Sequence, residues 1–242
     1  IIQLGASTNT DDIQGEIIQS KSWPLISENY LNNILDNFRG EILQKPPIFS
    51  SVHINGERAY KKARRGEKFN LIPKKITINE LKLITWSQKK GELLVEVDCS
   101  TGTFIRSLAR DIGDTIGCGG YLKNLRRTKA FSFNEQHSVL LPEKSELYSN
   151  KNKPKILNPN IFFNHLSSLM LSSEEDILGW RSGRKIYLNN NTNSLKIAFK
   201  DQKNFYNSNP ILVFDQNNNI LGIAESDGSL IIKPKVVFNA IG

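Results

Sequence analysis

Cysteine is almost absent. Cys99 and Cys118 are the only two in 242 residues. They make no disulfide framework, and no C-x-x-C pair offers a zinc site. No metal is therefore expected, and a reducing compartment, the cytoplasm, fits. Histidine is nearly as scarce. His53, His137 and His165 are scattered, no Ser-His-Asp set stands out, and a lone histidine is more often structural than catalytic. Long apolar runs are missing too. The longest, such as Ile211–Phe214, are strand-sized and far short of the roughly 18 residues of a membrane helix. Cys118-Gly119-Gly120 lacks both the Gly-x-Gly-x-x-Gly spacing and a Walker lysine, which removes the common phosphate-cradling loops. No His-x-Glu with C-x-x-C marks a zinc deaminase. The chain opens Ile1-Ile2-Gln3-Leu4-Gly5, with no methionine, no charged n-region and no apolar h-region. That is not a signal peptide. It reads as a start inside a β-strand, with the true N-terminus expected further upstream.

What is present is basic charge. The net charge is +8, and the window from Arg39 to Lys75 alone holds ten basic and three acidic residues. A second group, Lys123, Arg126, Arg127 and Lys129, contains no acid. A solvated face explains a charge run equally well. Two features favour a polyanion instead. Aromatic residues (Phe49, Tyr60, Tyr121, Phe131) interleave with the charges, and several of the cations are arginines, which fork onto phosphates. A basic stripe with aromatics suits a nucleic-acid backbone plus a splayed base. The length gives a prior of one to two domains and is ample for a core. A hydrophobic fraction of 38% with mean hydropathy −0.37 is ordinary for a soluble protein.

The element pattern is α+β. Strands are expected at Ile1–Leu4, Glu16–Gln19, Lys75–Thr85 and Glu92–Cys99. Ser27 caps a helix whose apolar residues Leu31, Ile34, Leu35 and Phe38 recur at helical spacing until Gly40. Asn55-Gly56 between Ser51–Ile54 and Glu57–Tyr60 is the strongest short hairpin signal. A short helix follows at Ala59–Arg65, a longer one carries Ile105, Leu108, Ile112 and Ile116, a short element spans Tyr121–Thr128, and Ala130–Phe133 is strand-like. Pro142–Pro159 reads as a linker. Beyond it come a helix at Ser173–Trp180 and strands at Ser194–Phe199, Ile211–Phe214, Ile220–Ala224 and Leu230–Ile232.

One segment poses a chemical question. In Cys99-Ser100-Thr101-Gly102-Thr103-Phe104-Ile105-Arg106 a glycine turn runs straight into a helix, so free N–H groups point out of the helix start. Arg106 sits in that first turn, where the helix dipole opposes a cation. An arginine placed so calls for an anionic partner, either a phosphate or a buried carboxylate. A plain surface arginine is the simpler reading.

These blocks together resemble the bacterial TruB family, the tRNA pseudouridine-55 synthases. The matching stretches are Leu4-Gly5…Thr8-x-Thr10…Asp12…Gly15, then Arg39-Gly40-Glu41-Ile42-x-Gln44-x-Pro46-Pro47-x-Phe49-Ser50-Ser51…Gly56…Ala59-Tyr60-x-x-Ala63-Arg64-x-Gly66. Cys99-Ser100-x-Gly102-Thr103-Phe104-Ile105-Arg106 and Gly117-Cys118-Gly119…Leu125-Arg126-Arg127-Thr128 follow in the family's order. The resemblance covers residues 4–133. It implies a mixed sheet with flanking helices, incomplete at its N-terminus, in a catalytic domain at 1–168, and a small, mostly-β, PUA-like RNA-binding domain at 169–242. It implies isomerisation of a T-loop uridine of tRNA to pseudouridine, with the base flipped out of its stack, no cofactor, a monomeric protein and the T-arm as partner. The family's essential aspartate lies in a Gly-x-Leu-Asp-Pro-x-Ala-x-Gly motif. These 242 residues contain no such motif, and by family order it belongs upstream of Ile1, so the chain alone is expected to be inactive.

Residue by residue, the resemblance makes Arg106 the partner of that aspartate and places Phe104 and Leu125 in the active site. It assigns RNA contacts to His53, Tyr60, Arg64, Arg65, Lys123, Arg126 and Arg127. Two positions depart from the pattern. The family usually has tyrosine at Phe104, so a hydroxyl is lost, and lysine at His53, which makes that contact weaker or pH-dependent. The alternative reading is a non-catalytic tRNA-binding or chaperone protein that keeps the basic surface without the nucleophile.

Overall fold

The structure is a computed structural model that describes residues 1–131, 133–141, 157, 161–163, 166–188, 197–198, 210–226 and 231–241. The chain forms two compact units, Ile1–Arg126 and Arg127–Gly242. The expected division at 168/169 falls within a strand of the second unit, Ser167–Met170. Most of the expected linker 142–159, together with His165, lies outside the described residues.

The first unit runs β1 (Ile2–Leu4), β2 (Ala6–Thr8), β3 (Ile17–Ser20), α1 (Glu28–Asp36), β4 (Gly40–Gln44), β5 (His53–Ile54), β6 (Glu57–Arg58) and α2 (Ala59–Arg64). It continues with β7 (Lys74–Ser87), β8 (Glu92–Cys99), α3 (Ile105–Ile116) and β9 (Gly120–Leu122). Its main sheet has the order β4-β7-β8-β1-β9, antiparallel at every joint. A parallel bridge from Asp12 to Leu122 is added at β9. Alternation along β7 puts Ile76 and Ile78 inward, and the irregularity between Ile78 and Glu80 brings Leu81 to the same face. They meet Leu31 and Leu35 of α1 and Leu108, Ala109 and Ile112 of α3 in one core.

The ends of these elements follow from local chemistry. The Ser27 hydroxyl accepts from the Tyr30 N–H at 3.2 Å, as a helix N-cap should. Asn55 and Gly56 have φ of 51° and 83°, both left-handed, which a tight hairpin between β5 and β6 requires. Helix α3 stops at Gly117, with φ 88°. Gly113 lets α3 lie directly on the chain entering β9: a Cβ there would stand 2.2 Å from the Gly120 nitrogen.

The second unit contains β10 (Lys129–Ala130), β11 (Phe133–Asn134), β12 (Ser167–Met170), α4 (Glu174–Arg181), β13 (Ile186–Tyr187) and β14 (Ile197–Ala198). It closes with β15 (Ile211–Phe214), β16 (Ile220–Ser226) and β17 (Ile231–Val237). The six-stranded sheet has the order β13-β17-β16-β15-β12-β14, with β12 and β15 parallel. Trp180 of α4 is fully buried on it, and its indole N–H donates to the Leu221 carbonyl at 2.8 Å. The mostly-β character expected for the C-terminal part is present.

Three local expectations need correcting. Tyr121–Thr128 is not one element: strand structure ends at Leu122, and 123–128 has no regular structure. Ala130–Phe133 is not one strand either. Phe131 takes φ 55°, so the chain reverses, and Ala130 pairs with Phe133 across a hairpin. The strand expected at Leu230–Ile232 runs on to Val237 through Pro234. β17 bulges at Lys235, beside that proline and opposite Ile223 and Ala224 of β16, and β13 pairs only with Ile231 and Ile232. The missing N–H of Pro234 therefore breaks no ladder bond to β13.

Candidate functional site

The first turn of α3 is built from outside the helix. Phe104, its N-cap residue, offers no side-chain cap. Buried Gln44, at the end of β4, does the capping instead. Its amide oxygen accepts from the Phe104 N–H at 2.9 Å, and its amide nitrogen donates to the Phe104 carbonyl at 3.1 Å. The turn before it is tied as well. Gly102 has φ 84°, the Ser100 hydroxyl accepts from the Thr77 N–H at 3.0 Å, and the Thr103 hydroxyl donates to the Ser100 carbonyl at 2.9 Å. Phe104 and Arg106 are thus set on a rigid element.

The partner that Arg106 required lies on the turn between β2 and β3. One guanidinium nitrogen donates to Asp12 Oδ2 at 3.0 Å and to the Thr10 carbonyl at 3.1 Å, and the other donates to the Phe49 carbonyl at 3.0 Å. Asp12 is held in turn by the Thr10 hydroxyl at 2.7 Å and the Gln14 N–H at 3.0 Å. The charge-assisted bond offsets the unfavourable dipole. Of the partners considered from sequence, a carboxylate of this chain is the one seen.

Arg106 and Phe104 open into a cleft of about 650 Å³. Phe49 and Tyr60 supply two more aromatic rings to its lining, and Arg64 and Lys74 two more cations. Ser50, Ser51, Val52 and His53 complete it, and no carboxylate is among the lining residues. The Arg64 guanidinium lies over the Tyr60 ring, 5.5 Å from its centroid, a cation–π contact. The wall from Phe49 to His53 is pinned by the Tyr60 N–H on the Ser50 carbonyl at 3.0 Å and the Ala59 N–H on the Val52 carbonyl at 2.8 Å.

Five of the ten residues singled out from sequence therefore meet in one place: Phe104, Arg106, His53, Tyr60 and Arg64. The others do not line the cleft. Arg65 is clasped by Glu57 at 2.6 and 2.7 Å and by Glu67 at 2.7 Å. Those hydrogen bonds, the one to Glu57 first, raise its pKa. Lys123 pairs with Glu92 at 2.5 Å. Leu125 is exposed and outside the lining, Arg126 closes the first unit, and Arg127 belongs to the second. Sequence reasoning did not single out Lys74, Phe49, Ser50, Gln44 or Asp12 as site residues. Lys74 was visible only as one charge in the basic window, and Asp12 only as a member of a turn.

Family models cover much of the chain. The TruB family pseudouridylate synthase N-terminal domain matches residues 1–105, and the tRNA pseudouridylate synthase B C-terminal domain matches residues 106–174. The boundary falls just before Arg106. A tRNA pseudouridine synthase B of Prochlorococcus marinus strain NATL2A is 71% identical over all of this chain and 78% of its own length. That of strain MIT 9301 is 45% identical over 99% of this chain and 76% of its own. Among solved structures, a chain of a Cbf5-Nop10-Gar1 complex superposes with TM-score 0.60 at 15% identity, covering 90% of this chain and 64% of that one. A chain of an H/ACA RNP bound to a substrate RNA containing 2'-deoxyuridine gives TM-score 0.58 at 14% identity, covering 89% and 62%. This chain spans less than two thirds of those chains, and the likeness is one of fold. By its family models and its relatives, the chain belongs to the TruB family of pseudouridylate synthases.

Proposed function

We propose that the cleft receives a flipped uridine of the tRNA T-arm and that the family's reaction, isomerisation of uridine to pseudouridine, takes place there. The bond from the ribose to the base nitrogen breaks, the base turns, and a ring carbon joins the ribose in its place. The proton on that carbon is lost and the nitrogen gains one, so the reaction balances without a cofactor. The observation that carries the reading is Arg106, fixed by Asp12 at 3.0 Å at the edge of an aromatic cleft lined with cations and no carboxylate. Phe49, Tyr60 and Phe104 offer faces for a base, and Arg64, Lys74 and Arg106 offer charge to phosphates or to an anionic catalytic group.

The 242 residues hold no Gly-x-Leu-Asp-Pro motif. We propose that they bind and orient the uridine but do not turn it over unaided, Arg106 being placed to hold an incoming aspartate ionised. The cations of the cleft, Arg64 and Lys74, also suit a second reading, a tRNA-binding protein without catalysis. Tritium release from uridine-labelled, unmodified tRNA separates them. The 242-residue chain is expected to release none, and release would overturn the claim that a catalytic group is lacking. With the family's Gly-x-Leu-Asp-Pro segment fused ahead of Ile1, release supports the enzyme reading and its absence the binding one. The chain is proposed to act as a monomer in the cytoplasm, with 1–168 catalytic and 169–242 binding RNA. No helix of the described residues is long and apolar enough to cross a membrane.

A further inference from the structure

Arg110 stands one helical turn after Arg106 on α3, and its bonds repeat those of Arg106. Arg106 reaches the turn between β2 and β3 at Asp12 and the arm between β4 and β5 at the Phe49 carbonyl. Arg110 reaches the same turn at Asp11 Oδ2, 2.8 Å away, and the same arm at the Lys45 carbonyl, 2.8 Å away. Its Nε also donates to Asp111 at 2.9 Å. Two adjacent carboxylates are thus held by two arginines spaced to share a helix face.

Asp11 needs that hold. It is 9% exposed and takes φ 61°, a left-handed conformation that aspartate tolerates better than most residues but not freely. Burial pushes its carboxyl pKa up, and the neighbouring Arg110 pulls it back. The arm needs it as well. Pro46 and Pro47 have no N–H to donate to a ladder, and α3 grips the arm on either side of them, at the Lys45 and Phe49 carbonyls. Arg110 is not among the residues lining the cleft.

We infer that Arg110, through Asp11 and Lys45, is a positioning residue that fixes the two walls presenting Asp12 and Phe49 to Arg106, and so sets the cleft for the flipped base. This rests on the reading that the cleft takes a uridine.

The test uses the 242-residue chain and a T-arm hairpin RNA with 5-fluorouridine at the target position, followed by fluorine NMR and by equilibrium binding. The wild-type chain is expected to give a distinct bound resonance. Arg110→Met and Asp11→Asn are expected to lower the RNA affinity only by the share that base insertion contributes, since neither side chain lines the cleft. Each should cut the bound-resonance population about tenfold, within the range spanned by couplings between contacting residues. The double variant should lose no more than the worse single one, because both remove one link. Unchanged populations in both variants, or losses that multiply in the double variant, overturn the inference while leaving the functional reading intact. A wild-type chain that binds without a bound resonance removes the reading and the inference with it. Should Arg110→Met fail to fold by circular dichroism, Asp11→Asn decides alone in the same direction. It keeps a side chain that tolerates the left-handed turn.

Discussion

Arg106 is a cation in the first turn of a helix, and its three donated bonds show what offsets that placement: Asp12, Thr10 and Phe49. The oddity was legible in sequence. Its partner was not, because Asp12 lies 94 residues away and a carboxylate in a turn carries no local sign of a distant contact. In a catalytically complete protein containing these residues, Arg106→Ala is expected to slow turnover by about a hundred- to a thousand-fold, the range for losing one preorganised charged group. The T-arm affinity should change little. Single-turnover rates beside a binding isotherm check this, and equal losses in both would refute the role. Gln44 is a second residue whose task was hidden. Its amide bonds both the N–H and the carbonyl of Phe104, and Gln44→Ala would leave the part-buried Phe104 N–H unmet, while the carbonyl keeps its bond from the Leu108 N–H. A destabilisation of about 2 kcal/mol is expected in urea unfolding.

At the level of elements, the caps, the Asn55-Gly56 hairpin and the apolar stripe of α3 could all be read ahead, since each is decided within a few residues. Gly113 could not, because its role depends on Gly120 arriving from the next strand. Gly113→Ala should force α3 off β9 and cost about 2–3 kcal/mol, the scale of overpacking, whereas Gly56→Ala would only strain a turn. Comparison of their denaturant midpoints tests the difference. The short strand β13 escaped sequence reading for the same reason as Gly113: two residues hold no periodicity, and only a partner strand makes them a strand. The hairpin and α2 also carry a pH dependence. Hydrogen bonds from Arg65 to Glu57, and from Lys62 then Arg65 to Glu67, hold both carboxyls below the ordinary 4.5. Their contribution is therefore complete above that value and is lost as the pH falls through the lowered values. Amide-exchange protection at Glu57–Arg65, taken relative to the intrinsic rate at each pH, should fall below pH 4.5 before the core opens, and unchanged protection would show that these pairs hold nothing.

For the whole molecule, the α+β class, the mostly-β second unit and the basic character were accessible from composition and pattern, and the family from its motif order. The basic surface proved less uniform than its sequence. Arg39, Lys62, Arg65, Lys75, Lys123 and, in the cleft itself, Arg106 all pair with carboxylates, so the other cations of the cleft, Arg64 and Lys74, are a small part of the count. Charge totals ignore such pairing, which is why Arg65 and Lys123 looked equivalent to Arg64 beforehand. Replacing Arg64 and Lys74 by alanine should weaken tRNA binding and flatten its salt dependence by about one unit of slope for each phosphate no longer neutralised. Replacing Lys123 should do neither.

The most direct measurement is a photocrosslink. A T-arm hairpin RNA with 4-thiouridine at the target position would be irradiated on the 242-residue chain and the modified peptides identified by mass spectrometry. Crosslinks should fall on Phe49–Tyr60 and Thr103–Arg106, the two stretches that meet in the cleft. Crosslinks confined to the second unit, or to the Lys123–Arg126 segment, would contradict the assignment of the cleft as the place where the uridine is held.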